Sequence, residues 1–290
     1  MTRRAFLTRL CGGGAGTLAS AAVGGSYACY VEPFWPTVER VPLDLPHLPP
    51  SLTGLRLLQL SDLHLAHRMR EEYLRDQFRS CLKLSPDVIV FTGDFITDAN
   101  LSFLRQLRSL LEILHAPLGV FAVLGNHDWD VYSSDCAHRS PQKADRIAET
   151  LTECGVTVLR NRRHVLDRGG ARLQLVGLDD LWSGFFNADQ AFADVDPDLP
   201  CIALAHNPDA IDYLQAKPWH WLLCGHTHGG QVRIPFLGAP FLPVRNRQYD
   251  AGLFHVGDRC LYVNRGLGYL RQIRFNCRPE MTLFTLTSRA

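Results

Sequence analysis

The chain has 290 residues, 46% of them hydrophobic and 20% charged, which is enough apolar material to bury a large core in one domain or two. Thirty basic residues against 29 acidic ones leave a net charge of +1, so the strong basic excess expected of a nucleic-acid-binding protein is absent and nucleic acid is not an expected partner. The cysteine count is nine, at irregular spacings, and an odd number excludes a complete set of internal disulfides.

In chain order, residues 1–31 come first and read as a targeting segment. Thr2-Arg3-Arg4-Ala5-Phe6-Leu7 resembles a twin-arginine export signal, and it precedes Leu10 to Val31, 22 residues without a charge. An uncleaved membrane anchor is the alternative, since 22 residues can span about 30 Å of hydrocarbon, although six glycines weaken it. Either way the positive-inside rule keeps Arg3, Arg4 and Arg9 in the cytoplasm and puts the rest of the chain on the outer side. The expectations are contact with the membrane through the amino terminus, the twin-arginine export machinery as a partner, and an exported location in a bacterial cell envelope. That location is the periplasm or the outer face of the cytoplasmic membrane, with peripheral attachment to the inner face as the alternative. Residues 32–54 read as a connecting segment. Residues 55–290 read as one catalytic domain, because the chemistry-bearing residues run from 62 to 228 with no linker between them.

Three apolar runs follow, at 55–60, 88–91 and 120–124, and each is closed by polar residues: Asp62 and His64, then Asp94, then Asn126. Asp62, Asp94 and Asn126 lie 32 residues apart. A strand, a helix and a parallel strand take about 30 residues or more, so the spacing predicts successive βα units with these residues at the same end of neighbouring strands. That end is where open α/β sheets bind ligands. The intervening segments have helical stripes, with Tyr73, Leu74, Phe78, Cys81 and Leu82 in one and Leu104, Leu107, Leu111 and Leu114 in the next. Ser140-Pro141 opens a third helix and Gly155 ends it.

The pattern recurs twice. His206 follows the run at 201–205, with Asn207-Pro208 opening a short helix, and Gly225-His226-Thr227-His228-Gly229-Gly230 follows the run at 221–224. From Gly229 onward, β-type runs at 229–234, 252–256, 260–263, 272–275 and 281–287 predict a second sheet packed on the first with helices outside. Late arginines at 245, 247, 259, 265, 271, 274 and 278 read as a solvated face, with phosphate contact as the alternative.

Asp62, His64, Asp94, Asn126, His206, His226 and His228 are residue types that hold divalent metals. A carboxylate can bridge two ions while imidazoles and an amide oxygen fill the other positions without neutralising the site, and this mix suits manganese, iron or zinc. Hydrolysis of a phosphoester needs a nucleophile from water and compensation for phosphoryl charge, and two divalent ions supply both. Asp-Leu-His alone is a weak signal; Gly-His-Thr-His-Gly-Gly after an apolar strand is strong, and five motifs in order at βα spacing are stronger still.

Together these motifs resemble the calcineurin-like metallophosphoesterase superfamily from about Leu55 to the carboxyl terminus. Within it the chain is similar to the exported YaeI/YkuE-like branch, on the twin-arginine start and the segments 225–231, 234–238, 264–268 and 277–280. The resemblance implies an α/β fold, a four-layer sandwich of two packed mixed β-sheets flanked by helices. It implies a first metal on Asp62, His64, Asp94 and His228, and a second on Asp94, Asn126, His206 and His226, with Asp94 bridging and manganese preferred to iron or zinc. His127 would donate a hydrogen bond to the phosphoryl group or protonate the leaving oxygen, and Asp98 and Asp128 would orient ligands or His127.

The expected function is a dimetal phosphodiesterase of the cell envelope that attacks phosphorus in line with a metal-bridging hydroxide. Two alternatives stand beside it: a UDP-2,3-diacylglucosamine pyrophosphatase of lipid A synthesis at the inner membrane, and a non-catalytic metal-dependent binder of phosphorylated lipid or cell-wall polymer. A lipid-linked phosphoester is accordingly one expected substrate. The apolar segments 234–243 and 217–221 suit lipid contact, and packing under the second sheet explains them equally. Leu181 to Phe186 is expected as a wall of the site or as core.

Overall fold

The computed structural model describes residues 23–99 and 101–289, so the twin-arginine motif and the start of the charge-free stretch lie outside the described residues. Residues 23–30 are helical (α1). The first sheet takes β1 (Thr37–Leu45), β2 (Arg56–Leu60), β3 (Val88–Thr92), β4 (Val120–Val123) and β5 (Val156–Val158). Helices α2 (Glu71–Leu82), α3 (Leu104–Leu111) and α4 (Pro141–Glu153) connect its parallel strands. The second sheet takes β6 (Arg162–Arg168), β7 (Ala171–Gly177), β8 (Cys201–Leu204), β9 (Trp221–Cys224), β10 (Gly252–Val256) and β11 (Arg259–Val263), with the short α5 (Ala188–Phe192) after β7. The last strand, β12 (Glu280–Ser288), returns to the first sheet. The strand orders are β1-β12-β2-β3-β4-β5 and β10-β11-β9-β8-β7-β6, and both sheets mix parallel and antiparallel pairs.

Side-chain alternation builds the layers. Leu57, Val88, Val90, Phe121 and Val123 of the first sheet meet Leu173, Leu175, Ile202, Leu204 and Leu223 of the second in a buried core between the sheets. The opposite face of the first sheet presents Leu58, Leu60, Ile89, Phe91 and Ala122 to Leu74 and Phe78 of α2, Leu107 and Leu110 of α3, and Ile147 and Leu151 of α4. The outer face of the second sheet is covered more thinly, by Ala191 and Phe192 of α5 and by Ala210 and Ile211 of a 3₁₀ turn at Pro208–Tyr213. Four layers result.

The second sheet begins at Arg162, not at Gly229 as the run pattern suggests. Residues 229–234 and 272–275 are not strands; a single bridge joins Val232 to Phe275. Gly229, Gly230 and Gln231 all have positive φ (59°, 78° and 58°), which no extended strand accommodates. The segment 32–54, expected as a connector, supplies β1, which pairs in parallel with β12 along nine residues from Thr37↔Glu280 to Leu45↔Ser288. Trp219 and Trp221 are buried, so the 217–221 run is core and not a lipid-facing surface. Among the described residues, no helix is long and apolar enough to cross a membrane.

Ser140 caps α4 as its sequence predicts: the hydroxyl accepts from the Lys143 amide at 3.3 Å, with Pro141 in the first turn. Ser140→Ala is expected to lower unfolding free energy by about 1 kcal/mol. Urea unfolding of the two proteins measures it, and equal midpoints would show that the cap contributes nothing.

Candidate metal centre

Every candidate ligand sits just past the carboxyl end of a parallel strand. Asp62 and His64 follow β2, Asp94 follows β3 and Asn126 follows β4 in the first sheet; His206 follows β8, and His226 and His228 follow β9 in the second. Parallel registry of β2, β3 and β4 turns the 32-residue spacing into spatial adjacency. Gln59 ties the two sheets together at this end, donating from Nε2 to Thr92 Oγ1 (3.0 Å) and to the Cys224 carbonyl (2.9 Å).

The structure brings all seven residues together, each at most 5% exposed. Asp94 is central. Its Oδ1 accepts from the His127 amide at 2.9 Å, and its Oδ2 lies 3.1 Å from His206 Nε2 and 3.5 Å from His64 Nε2. On one side, His64 Nε2 and His228 Nε2 approach to 2.8 Å, with Asp62 Oδ1 3.6 Å and 3.3 Å from them. On the other, His206 Nε2 lies 3.1 Å from Asn126 Oδ1 and 3.2 Å from His226 Nδ1. Two clusters of donor atoms therefore share one carboxylate oxygen.

The rings are aimed by their distal nitrogens. His206 Nδ1 meets the Thr92 carbonyl at 2.6 Å, and His226 Nε2 meets the Pro243 carbonyl at 2.9 Å. A carbonyl accepts only, so these nitrogens carry the proton and the other nitrogen turns a lone pair inward. His64 Nδ1 bonds Thr97 Oγ1 at 2.5 Å. Asn126 donates its amide nitrogen to the Val131 carbonyl at 2.6 Å, which turns its oxygen inward. Such outer bonds fix ligand tautomer and orientation in metal sites.

The backbone is strained to make this convergence. Asp62, His64, Asp94, His226 and His228 all have φ between 50° and 72°, the left-handed region that side chains larger than glycine seldom occupy. Close approach of the loops also demands glycine: a Cβ on Gly93 would lie 2.6 Å from the Gly125 amide nitrogen and 2.7 Å from His206 Nδ1.

Electrostatics mark the site as one that wants a cation. Burial alone would raise the Asp94 carboxyl, but His206, His127 and His64 reverse that and hold it well below the usual carboxylate range. Asp62 is held low in the same way, against burial, chiefly by His228. Burial opposes charge on His206 as well, yet Asp94 and Asp62 raise it to about 10, so its inward Nε2 lone pair favours a cation, whether a proton or a metal ion, beside Asp94. His226, crowded by burial and by His206, falls to about 3. Two carboxylates, four imidazoles and one amide oxygen facing inward at these separations fit divalent ions and suit little else.

Of the remaining sequence candidates, His127 is 8% exposed, its ring edge-on to His64 and Tyr132 at 5.0 Å, and its Nδ1 has no partner among the described residues. Burial, only partly offset by Asp94, lowers it to about 3. Asp128 accepts from four backbone amides, those of Asp94, Phe95, Ile96 and Gly125, and so holds two of the ligand loops. Asp98 pairs with the exposed His67 at 3.6 Å, and both line a cleft of about 220 Å³ that opens beside His64.

Sequence reasoning missed several neighbours. Lys143 is buried, donating to the His127 carbonyl (2.8 Å) and to Asp130 (2.7 Å). Arg274, expected on a solvated face, is fully buried, with its Nη2 donating to the carbonyls of residues 265, 266 and 268. Asp180 is fully buried, its Oδ2 without a partner among the described residues, and burial raises it to about 7 although His206 lowers it. It lies just past β7, an apolar run closed by Asp179-Asp180, so the strand-end rule that found the other acids also marks this one. Trp182 stands perpendicular to His226 with ring centroids 4.7 Å apart, while Phe185 stacks on Trp129 at 4.8 Å and is exposed, so the 181–186 segment is a half-buried wall of the site packed on the core through Trp182 and Phe186.

Comparison with known proteins agrees with this geometry. Residues 55–230 match the calcineurin-like phosphoesterase family. The chain is 36% identical over 287 residues to phosphodiesterase YaeI of Escherichia coli, covering 99% of each. It is 35% identical to the UDP-2,3-diacylglucosamine pyrophosphatase LpxG of Chlamydia trachomatis, covering 92% of this chain and 94% of that one. To the metallophosphoesterase YkuE of Bacillus subtilis it is 34% identical, covering 99% and 98%. The chain belongs to the calcineurin-like phosphoesterase family.

Proposed function

We propose that this protein is a metal-dependent phosphodiesterase acting at a bacterial cell envelope. The observation that carries the reading is the pair of donor clusters meeting at Asp94 Oδ2. Asp62, His64, Asp94 and His228 would hold one divalent ion, and Asp94, Asn126, His206 and His226 a second, with manganese the first choice and iron or zinc the alternatives. Bound there, the ions supply Lewis-acid charge for the phosphoryl group and a water-derived nucleophile at neutral pH.

The chain's own residues do the rest. His127 stands at the edge of the clusters with its ring edge-on to His64 and, its pKa lowered to about 3, is a neutral imidazole whose N–H would hydrogen-bond the phosphoryl group or the leaving oxygen. The Lys143 bond to its carbonyl and the Asp94 bond to its amide fix that position from both sides. Asp128 holds the loops that carry Asp94 and Asn126 in register. The cleft at His64 and Asp98 admits substrate, and Trp182 screens His226 from water.

His127→Ala is expected to lower kcat on a chromogenic phosphodiester about a hundredfold or more with metal content unchanged. Full activity in that variant would remove His127 from the mechanism, and an inactive wild-type protein with full metal would favour the non-catalytic binder. A second reading has its own support in the similarity to LpxG. Side-by-side assay of manganese-supplemented wild type on a soluble diester, its monoester and UDP-2,3-diacylglucosamine decides. Cleavage of the nucleotide lipid alone would make the protein a lipid A enzyme and overturn the exported location, which rests on the amino-terminal sequence.

A further inference from the structure

The segment that follows the second cluster is a loop turned to solvent with its apolar side chains outward. Phe236 is 108% exposed, Phe241 82% and Leu237 79%, and Ile234 is also exposed, within a stretch of eight residues. A soluble surface seldom shows so many large apolar side chains together unless something covers them. The loop is not a loose excursion. Gly238 and Ile234 form a bridge at its base, and Arg247 donates to the carbonyls of Ala239 (3.0 Å) and Pro240 (3.2 Å). A Cβ on Gly230 would lie 2.5 Å from Ala239 Cβ, so the loop packs directly on the backbone two residues past His228. Pro243, just after the tip, is the acceptor that orients His226.

Basic residues outnumber acidic ones beside this apolar tip, where Asp250 pairs with Arg233 (2.7 Å) and the buried Asp209 accepts the Arg245 and Asn246 amides. No acidic residue occurs from Gly229 to Tyr249 or from Arg265 to Pro279, the two segments that lie side by side through Gln231 Nε2 to the Arg271 carbonyl (2.8 Å) and the Arg233 amide to the Phe275 carbonyl (2.8 Å). Arg245, Arg247 and Arg271 of these segments are exposed, and Leu270, beside Arg271, is exposed at the rim of the His64 cleft. The amino-terminal chain arrives at the same place. The Ala28 carbonyl accepts from the Arg274 amide (2.8 Å) and the Cys29 carbonyl from Gln272 Nε2 (3.0 Å), so the charge-free stretch ending at Val31 adjoins the basic, apolar patch.

We propose that residues 234–241 form a wedge that enters the surface of an anionic bilayer, with Arg245, Arg247 and Arg271 on the lipid phosphates. The metal-ligand clusters then stand at headgroup depth, where a lipid-borne phosphoester reaches them through the cleft rimmed by Leu270. The substrate part of this proposal rests on the phosphoester hydrolysis proposed above; the wedge itself does not. A bilayer supplies apolar cover for rings that project into solvent, and negative charge for the exposed guanidinium groups of Arg245, Arg247 and Arg271.

The test uses the full chain loaded with manganese and sedimented with vesicles of phosphatidylcholine, with and without phosphatidylglycerol. The paired substitution Phe236→Asp and Leu237→Asp is expected to lower partition onto the anionic vesicles about tenfold or more, and to leave turnover of a soluble chromogenic diester within about twofold of wild type. The amino-terminal stretch is present in both proteins, so its own membrane affinity cancels. Phe236→Trp reads the wedge directly: the emission it adds over wild type is expected to shift to the blue on anionic vesicles and less on phosphatidylcholine alone. Partition of the paired variant within twofold of wild type, or emission at position 236 that ignores vesicles, overturns the wedge. Loss of hydrolysis by the wild type, with these shifts intact, strikes the hydrolytic reading and its lipid substrate but not the wedge.

Discussion

Asp94→Ala is expected to lower kcat/KM on a phosphodiester by at least about a thousandfold and to reduce bound metal from two ions per chain to one or none. Asp94 Oδ2 is the oxygen that both donor clusters share, 3.1 Å from His206 Nε2 and 3.5 Å from His64 Nε2. Its partner oxygen accepts the His127 amide, so the same substitution also frees the proposed hydrogen-bond donor to substrate. Asp94→Asn separates the two effects. The amide keeps an acceptor for the His127 amide only by turning its NH₂ toward the imidazoles, so metal loss should match alanine while the fold is kept. Metal analysis beside steady-state kinetics checks both; two retained ions with a tenth or more of wild-type activity would sink the bridging assignment.

Asp128→Ala is expected to lower unfolding free energy by about 4 kcal/mol. Its carboxylate accepts from four backbone amides on two loops, and truncation leaves them stranded among buried residues. An unsatisfied buried donor costs roughly 1–3 kcal/mol, with relaxation and entering water recovering a part of the sum for four. A domain's whole stability is about 5–15 kcal/mol, so the variant should unfold at much lower urea. Activity should fall with it, even in the fraction that stays folded, because Asp94 and Asn126 are carried by the loops that Asp128 joins. A shift worth less than about 1 kcal/mol would show that water satisfies these amides and that the carboxylate is not their organiser.

Three of the seven clustered residues are legible in the sequence because a parallel sheet converts chain spacing into distance: one βα unit advances one strand, and equal intervals put Asp62, Asp94 and Asn126 side by side, while the four histidines show only as polar residues that close apolar runs. The helices were legible from apolar stripes and from the Ser140-Pro141 start. What was lost had no such period. Arg162–Arg168 is a charged edge strand with one buried residue, so neither alternation nor an apolar run announces β6, and the second sheet was placed too late. The central part of β1 is largely half-exposed and contains Pro42, which hides a strand that pairs fully with β12. Lys143, Thr97 and Arg274 reach the site from a helix, a loop and the far end of the chain. Their importance lies in contacts with backbone carbonyls and a ring nitrogen, for which sequence spacing holds no rule.

The position of β12 sets an order on folding. It is the last strand in the chain, yet it lies between β1 and β2, pairing Thr37–Leu45 on one edge and Arg56–Leu60 on the other. Until residues 280–288 have left the ribosome, β1 has no neighbour in its sheet and β2 has one open edge, so the first sheet cannot close during synthesis. The loop after β11 reaches the site late too, since the Leu267 and Gly268 amides bond the carbonyls of Ser61 and Asp62. The β2-β3-β4 ladder that carries Asp62, Asp94 and Asn126 can pair before then, but β1 and the loop that braces Ser61 and Asp62 join it only after the carboxyl-terminal segments have emerged. Loss of those nine residues would cost far more than their share of the length.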